Sequence, residues 1–118
     1  MYGIPRSPAR GLACVGHTYE EDFGPEGRYQ LHFSSETSVT VRGLAGPNQG
    51  TSETTRVTLF ELGPGVLMAS WRDATGNTVV QVQDFENQVV HAAITLPDEN
   101  VPENSQLIRM TGTLTQRD

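Results

Sequence analysis

An antiparallel β-barrel or sandwich is the fold class this sequence predicts, on three observations. Seven short runs rich in Val, Ile, Thr and aromatic residues follow one another between Gly27 and Arg117. Turn-type residues separate them, and no segment sustains a helical period. The turn lengths also set hairpin registers that place apolar residues of consecutive strands on one continuous face. A function carried by such a chain sits inside the sheet or among its end loops. No helix is long enough to carry a catalytic face or a DNA-reading element.

Residues 1–12 read as a flexible N-terminal arm, with Gly3, Pro5, Pro8 and Gly11 and little periodicity. Residues 13–118 form one domain. A short strand is expected from Ala13 to Glu21, with Val15, His17 and Tyr19 on one face, before Phe23 to Gly27 turns the chain. In the first hairpin a loop around Ser35 sets Leu31 opposite Val39 and Tyr29 opposite Val41, leaving Arg28, Gln30 and Arg42 outside. The Gly63-Pro64-Gly65 loop sets Glu61 opposite Leu67, Leu59 opposite Ala69 and Val57 opposite Trp71. Centring the next turn on Thr75-Gly76 sets Trp71 opposite Val80, Ala69 opposite Val82 and Leu67 opposite Asp84, which turns Gln81 and Gln83 outward. Two registers stay open for the following strand. A two-residue loop at Glu86-Asn87 puts His91 opposite Val82 and inward, whereas a loop one residue longer turns Ala92 and Ile94 inward and His91 to solvent. The last strand, Gln106 to Gln116, shows Ile108, Met110 and Leu114 on one face and Arg109, Thr111 and Thr113 on the other. The expected sum is a barrel of seven or eight strands.

Composition bounds what such a barrel does. With 118 residues, 36% of them hydrophobic, the chain builds one core. Its 14 acidic residues against 8 basic ones, a net charge of -6, repel a phosphate backbone, so nucleic acid is excluded as a partner. Cys14 is the single cysteine and forms no internal disulfide. His17, His32 and His91 are scattered, so neither a metal nor another cofactor is expected. No run reaches the roughly 18 apolar residues of a membrane span, and the first residues lack the apolar core of a signal peptide. A cytoplasmic protein without a membrane partner is the expectation.

The connections distinguish two ends. The turns near Ser35, Pro64 and Glu86 are tight and share one end. Gly43 to Glu53 and Pro97 to Asn104 are long and share the other with the Glu21 to Gly27 turn. Tyr29 and Trp71 face inward at this looped end, with Tyr19 nearby if the first strand runs antiparallel to the second. A ligand is expected to enter there, between the two long loops. The candidate contacts are Tyr19, Tyr29, Val57, Leu59, Ala69, Trp71, Val80, Val82 and His91. For catalysis the candidates are Tyr29, His91, whose imidazole has an unperturbed pKa of about 6.5, and Asp84. Each has a plainer reading: Trp71 as core, Tyr29 as a solvated rim group, Asp84 as a cap on the turn that follows it.

A family resemblance rests on Gly16-His17-Thr18-Tyr19, on Gly27-Arg28-Tyr29-Gln30-Leu31-His32-Phe33, on Ser70-Trp71, and on Val80-Gln81-Val82-Gln83-Asp84-Phe85. In their order and spacing these segments resemble the MoaF-like family. The resemblance implies a small calycin, a lipocalin-like antiparallel barrel, and an association with molybdenum-cofactor gene clusters. It supplies no agreed catalytic set. Phenolic acid decarboxylases share this kind of barrel and use interior Tyr, Arg and Glu, a likeness of fold that does not by itself imply function.

Two functions follow from different classes. The first is a binding barrel that holds a small apolar or aromatic metabolite in its lumen. The second is a cofactor-independent enzyme of a metabolite biosynthetic pathway, a cyclase, isomerase or decarboxylase, in which shape and a proton donor do the chemistry. Polar groups converging on one point in the lumen would favour the second. A third reading is a barrel filled by its own side chains that forms a homodimer through an exposed strand edge or face.

Overall fold

The computed structural model describes residues 12–118. Eight strands form an up-and-down meander: β1 (Thr18–Asp22), β2 (Arg28–Ser35), β3 (Ser38–Ala45), β4 (Ser52–Gly63), β5 (Val66–Arg72), β6 (Thr78–Asp84), β7 (Val89–Leu96) and β8 (Gln106–Gln116). Each strand pairs antiparallel with the next, and β1 pairs with β8 to close the barrel. Closure removes both free sheet edges, which a chain of short strands would otherwise expose. The expected all-β barrel is the observed one. Among the described residues the only helical pieces are single 3-10 turns at Gly24–Glu26 and Pro102–Asn104, and no helix is long and apolar enough to cross a membrane. The arm expected over residues 1–12 lies outside the described residues except for Leu12, which is buried.

The first strand begins later than its sequence suggests. Ala13 to Gly16 turns instead, with Val15 N donating to Leu12 O and His17 N to Cys14 O, and pairing starts at Thr18. From there Tyr19 and Glu21 alternate inward. The sealed part of the core lies where Leu31, Phe33, Val39, Val57 and Val90 meet. Burial of such side chains contributes about 1.5–3 kcal/mol apiece.

The three predicted registers fare differently. Between β4 and β5 the observed pairs are Val57 with Trp71, Leu59 with Ala69 and Glu61 with Leu67, as expected, although the turn is shorter: Gly63 pairs with Val66, and a register shift between Glu61 and Gly63 restores the pairing. Between β2 and β3 the turn falls at Glu36-Thr37 rather than around Ser35. With a register shift between Phe33 and Ser35, Leu31 meets Val41, Phe33 meets Val39 and Tyr29 meets Gly43. That displacement is two residues, so every side chain keeps its face.

Between β5 and β6 the displacement is one residue, and the face reverses. Trp71 pairs with Val79, Ala69 with Gln81 and Leu67 with Gln83. Asp73 causes it. Its backbone N–H donates to Asn77 O, and its carbonyl accepts from Gly76 N. Its Oδ1 accepts from the backbone N–H groups of Thr75 and Asn77. The result is a three-residue loop with Gly76 at φ 89°, a type I turn continued by a left-handed glycine, in place of a loop centred on Thr75-Gly76. Val79, Gln81 and Gln83 thus point inward, while Val80 and Val82 point outward, the reverse of the expected facing. On the outer face Val82 lies in register with Met68, which in turn pairs with the exposed Phe60.

His91 inherits the same correction. It pairs with Val82, as the shorter-loop alternative required. Because Val82 faces outward, so does His91, and Ala92 and Ile94 face the interior. In β8 Ile108, Met110 and Leu114 turn inward and Arg109 outward, as expected.

Candidate functional site

Among the described residues, cavities lie toward both ends of the barrel. The larger in volume, about 390 Å³, lies at the tight-turn end among Leu12, Cys14, Tyr19, Leu67, Phe85 and Leu114. Tyr19 is packed there against Phe85 (centroids 4.9 Å apart) and Phe33 (6.2 Å). This corrects its expected place at the looped mouth. The first strand does run antiparallel to β2, but Tyr19 pairs with Leu31, and Glu21 takes the position beside Tyr29. Burial raises the Tyr19 hydroxyl to about 12 and the Cys14 thiol to about 11, so both stay neutral near pH 7.

The second cavity, about 340 Å³, opens at the looped end and is the candidate site. Its wall is built from Leu31, Val41, Trp71, Val79, Ile94 and Met110, with Phe23 and Tyr29 beside the entrance. Phe23 and Tyr29 pack edge to face at 6.2 Å. The mouth lies between the β3–β4 loop and the β5–β6 turn, at Asn48 to Glu53 and Asp73 to Asn77. The expected second gatepost, Pro97 to Asn104, takes no part in the lining. Cross-links fix this mouth: Asn48 Nδ2 donates to Tyr29 Oη (2.9 Å), and the Ala74 backbone N–H donates to Glu53 Oε2 (2.9 Å). The β3–β4 loop folds onto Gly43 so closely that a β-carbon there would strike the carbonyl of Asn48. Only glycine fits that position.

At the inner end of the cavity stands a polar cluster. Glu21, Gln81 and Gln83 are 0%, 4% and 1% exposed. Gln81 Nε2 donates to Glu21 Oε1 (2.8 Å), Gln83 Nε2 donates to Glu21 Oε2 (3.3 Å), and Gln83 Nε2 also reaches Gln81 Oε1 (2.8 Å). Glu21 makes these bonds across the lumen, with β8 and β7 lying between β1 and β6 around the wall. Beside Gln81 in the register is Ala92, small enough to leave the path open. Gln83 Oε1 has no hydrogen-bond partner among the described residues. Burial pushes the Glu21 carboxyl up to about 7, and the two amide donors pull it partly back.

The other candidates from the sequence are distributed as follows. Tyr29 and Trp71 line the looped-end cavity. Val57, Leu59 and Ala69 face inward on the β4–β5 wall. Val80, Val82 and His91 are on the outside, where His91 Nδ1 lies 3.1 Å from Thr111 Oγ1. Asp84 faces outward as well. Its Oδ1 accepts from the Asn87 backbone N–H and its Oδ2 from Asn87 Nδ2, bonds that hold the carboxyl below its usual range and secure the β6–β7 turn. Among the described residues no three His, Cys, Asp or Glu side chains are grouped to hold a metal.

Sequence reasoning missed Glu21, Gln81 and Gln83 because carboxyl and carboxamide side chains ordinarily face water. A signal was present in β8. Carrying its inward set, Ile108, Met110 and Leu114, back through the next register puts Ala92 and Ile94 inside, and one register further puts Gln81 inside.

Fold and site together define a small closed β-barrel with an apolar chamber floored by polar groups. The chain belongs to the MoaF-like family, which it matches over residues 15–115. It is 26% identical over 86 residues to a Vibrio cholerae serotype O1 protein named "Probable phenolic acid decarboxylase"; the match covers 70% of this chain and 48% of that protein, so the chain spans about half the relative's length. A solved structure described as a "putative beta-lactamase" from Burkholderia vietnamiensis superposes with a TM-score of 0.77 at 17% identity, covering 90% of this chain and 97% of the other. That likeness is one of fold.

Proposed function

We propose that this protein binds a small, largely apolar and aromatic metabolite in the looped-end chamber of its barrel. The observation that carries the reading is the chamber itself. About 340 Å³ is left unfilled at the looped end of the barrel, within the range of small-molecule sites. Its apolar walls would hold a ring against Trp71. Glu21, Gln81 and the Tyr29 hydroxyl supply the few polar contacts that fix orientation. The name of the Vibrio cholerae relative supports an aromatic ligand of this size. The convergence of Glu21 and Gln81 on the same chamber favours a second reading, in which the bound molecule is also transformed without a cofactor.

Trp71 is the only tryptophan, so its fluorescence reports on the chamber directly. Titration with neutral one- and two-ring aromatic ketones and phenols is expected to shift its emission saturably. Tyr29→Phe should weaken binding of the oxygen-bearing compounds about 5- to 10-fold, the value of one hydrogen bond. Emission unmoved by every compound at millimolar concentration overturns the reading.

A further inference from the structure

A buried carboxyl group with no cation beside it is costly to keep charged. Glu21 is wholly buried, and among the described residues its side-chain hydrogen-bond partners are two neutral carboxamides and no cation pairs with it. An arginine in place of Gln81 would lock the carboxylate in its ionised form. Carboxamides do not. As they stand, Gln81 and Gln83 donate to the carboxylate; turned by half a rotation they present oxygens, and the protonated acid donates to them. The cluster therefore accommodates Glu21 with or without its proton. With burial lifting the carboxyl to about 7, both forms are populated near neutral pH.

Tyr29 completes the arrangement. It pairs directly with Glu21 in the β1–β2 register, and both side chains line the same chamber. Its oxygen accepts from Asn48 Nδ2 at 2.9 Å, while its own proton meets only Glu26 O, at 3.5 Å. A hydroxyl whose oxygen already accepts a hydrogen bond is the stronger donor, and this one is barely committed elsewhere. Among the described residues the other titratable groups facing the chamber are Glu53 and Asp73, both at the mouth; β6, β7 and β8 present none to it.

We propose that Glu21 and Tyr29 act as base and oxyanion donor, so that the barrel catalyses proton transfer at a carbon adjacent to the carbonyl of an apolar, aromatic or unsaturated substrate. This inference rests on the binding reading above and adds a reaction to it. The Glu21 carboxylate takes the proton from the C–H bond. The bond's electron pair forms the carbon–carbon double bond of an enolate, and the carbonyl oxygen receives the charge under the Tyr29 O–H. Protonated Glu21 then delivers its proton to a conjugated carbon, giving an isomer, or first trades it with solvent entering through the chamber mouth and delivers the solvent-derived one to the original carbon, giving exchange. The carboxylate is regenerated and no oxidant or reductant is consumed. Proton transfer between heteroatoms and water is fast unaided, so a buried carboxyl gains its use at carbon.

The probe is 2-tetralone, an aromatic ketone, in D2O. Trp71 emission measures its binding, and proton NMR measures loss of the signal from hydrogens next to its carbonyl. The wild type should accelerate exchange, with a rate that rises with pH through the Glu21 ionisation and then levels. Glu21→Gln should bind 2-tetralone within about 3-fold of wild type while losing about 100-fold or more of the acceleration. Glu21→Asp should retain the rise with pH at a reduced rate, and serves where Glu21→Gln fails to fold. Tyr29→Phe should lose about 10-fold or more. Saturable binding with exchange at the buffer rate overturns the catalytic inference and leaves the binding reading standing, as does a Glu21→Gln protein that exchanges like wild type. Absence of any Trp71 response to 2-tetralone and the other aromatic compounds overturns both.

Discussion

The two sides of the lumen solve opposite problems. On the β4–β5 side, Val57, Leu59, Ala69 and Trp71 stack an apolar surface whose stability comes from area removed from water, which is indifferent to pH. β1, across the lumen, and β6, next to β5 in the sheet, bring a carboxyl and two carboxamides into a place where each must find a partner. A barrel of eight strands fills its interior with side chains unless something prevents it. Here large residues seal the centre, and the polar cluster, which cannot collapse onto the apolar side without losing hydrogen bonds, borders an open chamber.

The comparison breaks most sharply at Trp71. Truncation to Ala removes the largest side chain of the apolar side and should cost about 3–5 kcal/mol by denaturant unfolding, equally at pH 5 and pH 9. Glu21 should behave in the contrary way. Its carboxyl titrates near 7 when folded, against 4.5 for the ordinary group. The stability it confers is therefore complete below about 4.5 and lost as the pH rises through about 7. Glu21→Gln should remove that loss, leaving the variant more stable than wild type at pH 9 relative to pH 5 by about 3 kcal/mol. A variant that tracks wild type across this window would show that the carboxyl is not held in the lumen.

A smaller effect is expected at Gln81→Leu, which deletes an amide donor to the carboxylate. The expected cost is about 1–3 kcal/mol above pH 7 and less at pH 5, where the protonated acid needs that donor less. Smallest of all is His91→Ala. An outward imidazole on the barrel surface should contribute within about 0.5 kcal/mol, and Trp71 titrations should be unchanged. A loss of ligand binding in this variant would return His91 to the lumen and reverse the β6 and β7 facing.

The barrel was legible because its strands are separated by turn residues whose spacing limits the register. The glycines and proline at 63–65 marked the β4–β5 turn, and the expected pairing holds because a register shift between Glu61 and Gly63 offsets the shorter loop. The β2–β3 loop was misplaced, yet by an even displacement, and Tyr29 and Leu31 kept their inward face. At β5–β6 the displacement was odd. Thr75-Gly76 resembles the centre of a short turn, but the Asp73 carboxylate collects the Thr75 and Asn77 amides and lengthens the loop on one side. That single side chain turned Val80, Val82 and His91 outward and Gln81 and Gln83 inward. β6 offered little internal warning, because valines occupy both of its faces at Val79, Val80 and Val82. Glu21 was illegible for a different reason. Nothing local marks a carboxyl as buried when its partner lies 60 residues away on the far side of a closed barrel.

Glu21 is where these arguments meet, and its ionisation can be observed without any ligand. The carboxyl carbons of 13C-labelled glutamate should be followed by NMR from pH 3 to pH 10 in the wild type, Glu21→Gln and Gln81→Leu. The account predicts one resonance with a midpoint near 7, absent from Glu21→Gln and displaced to higher pH in Gln81→Leu. Glutamates that all titrate near 4.5, or a resonance near 7 that survives Glu21→Gln, would contradict it.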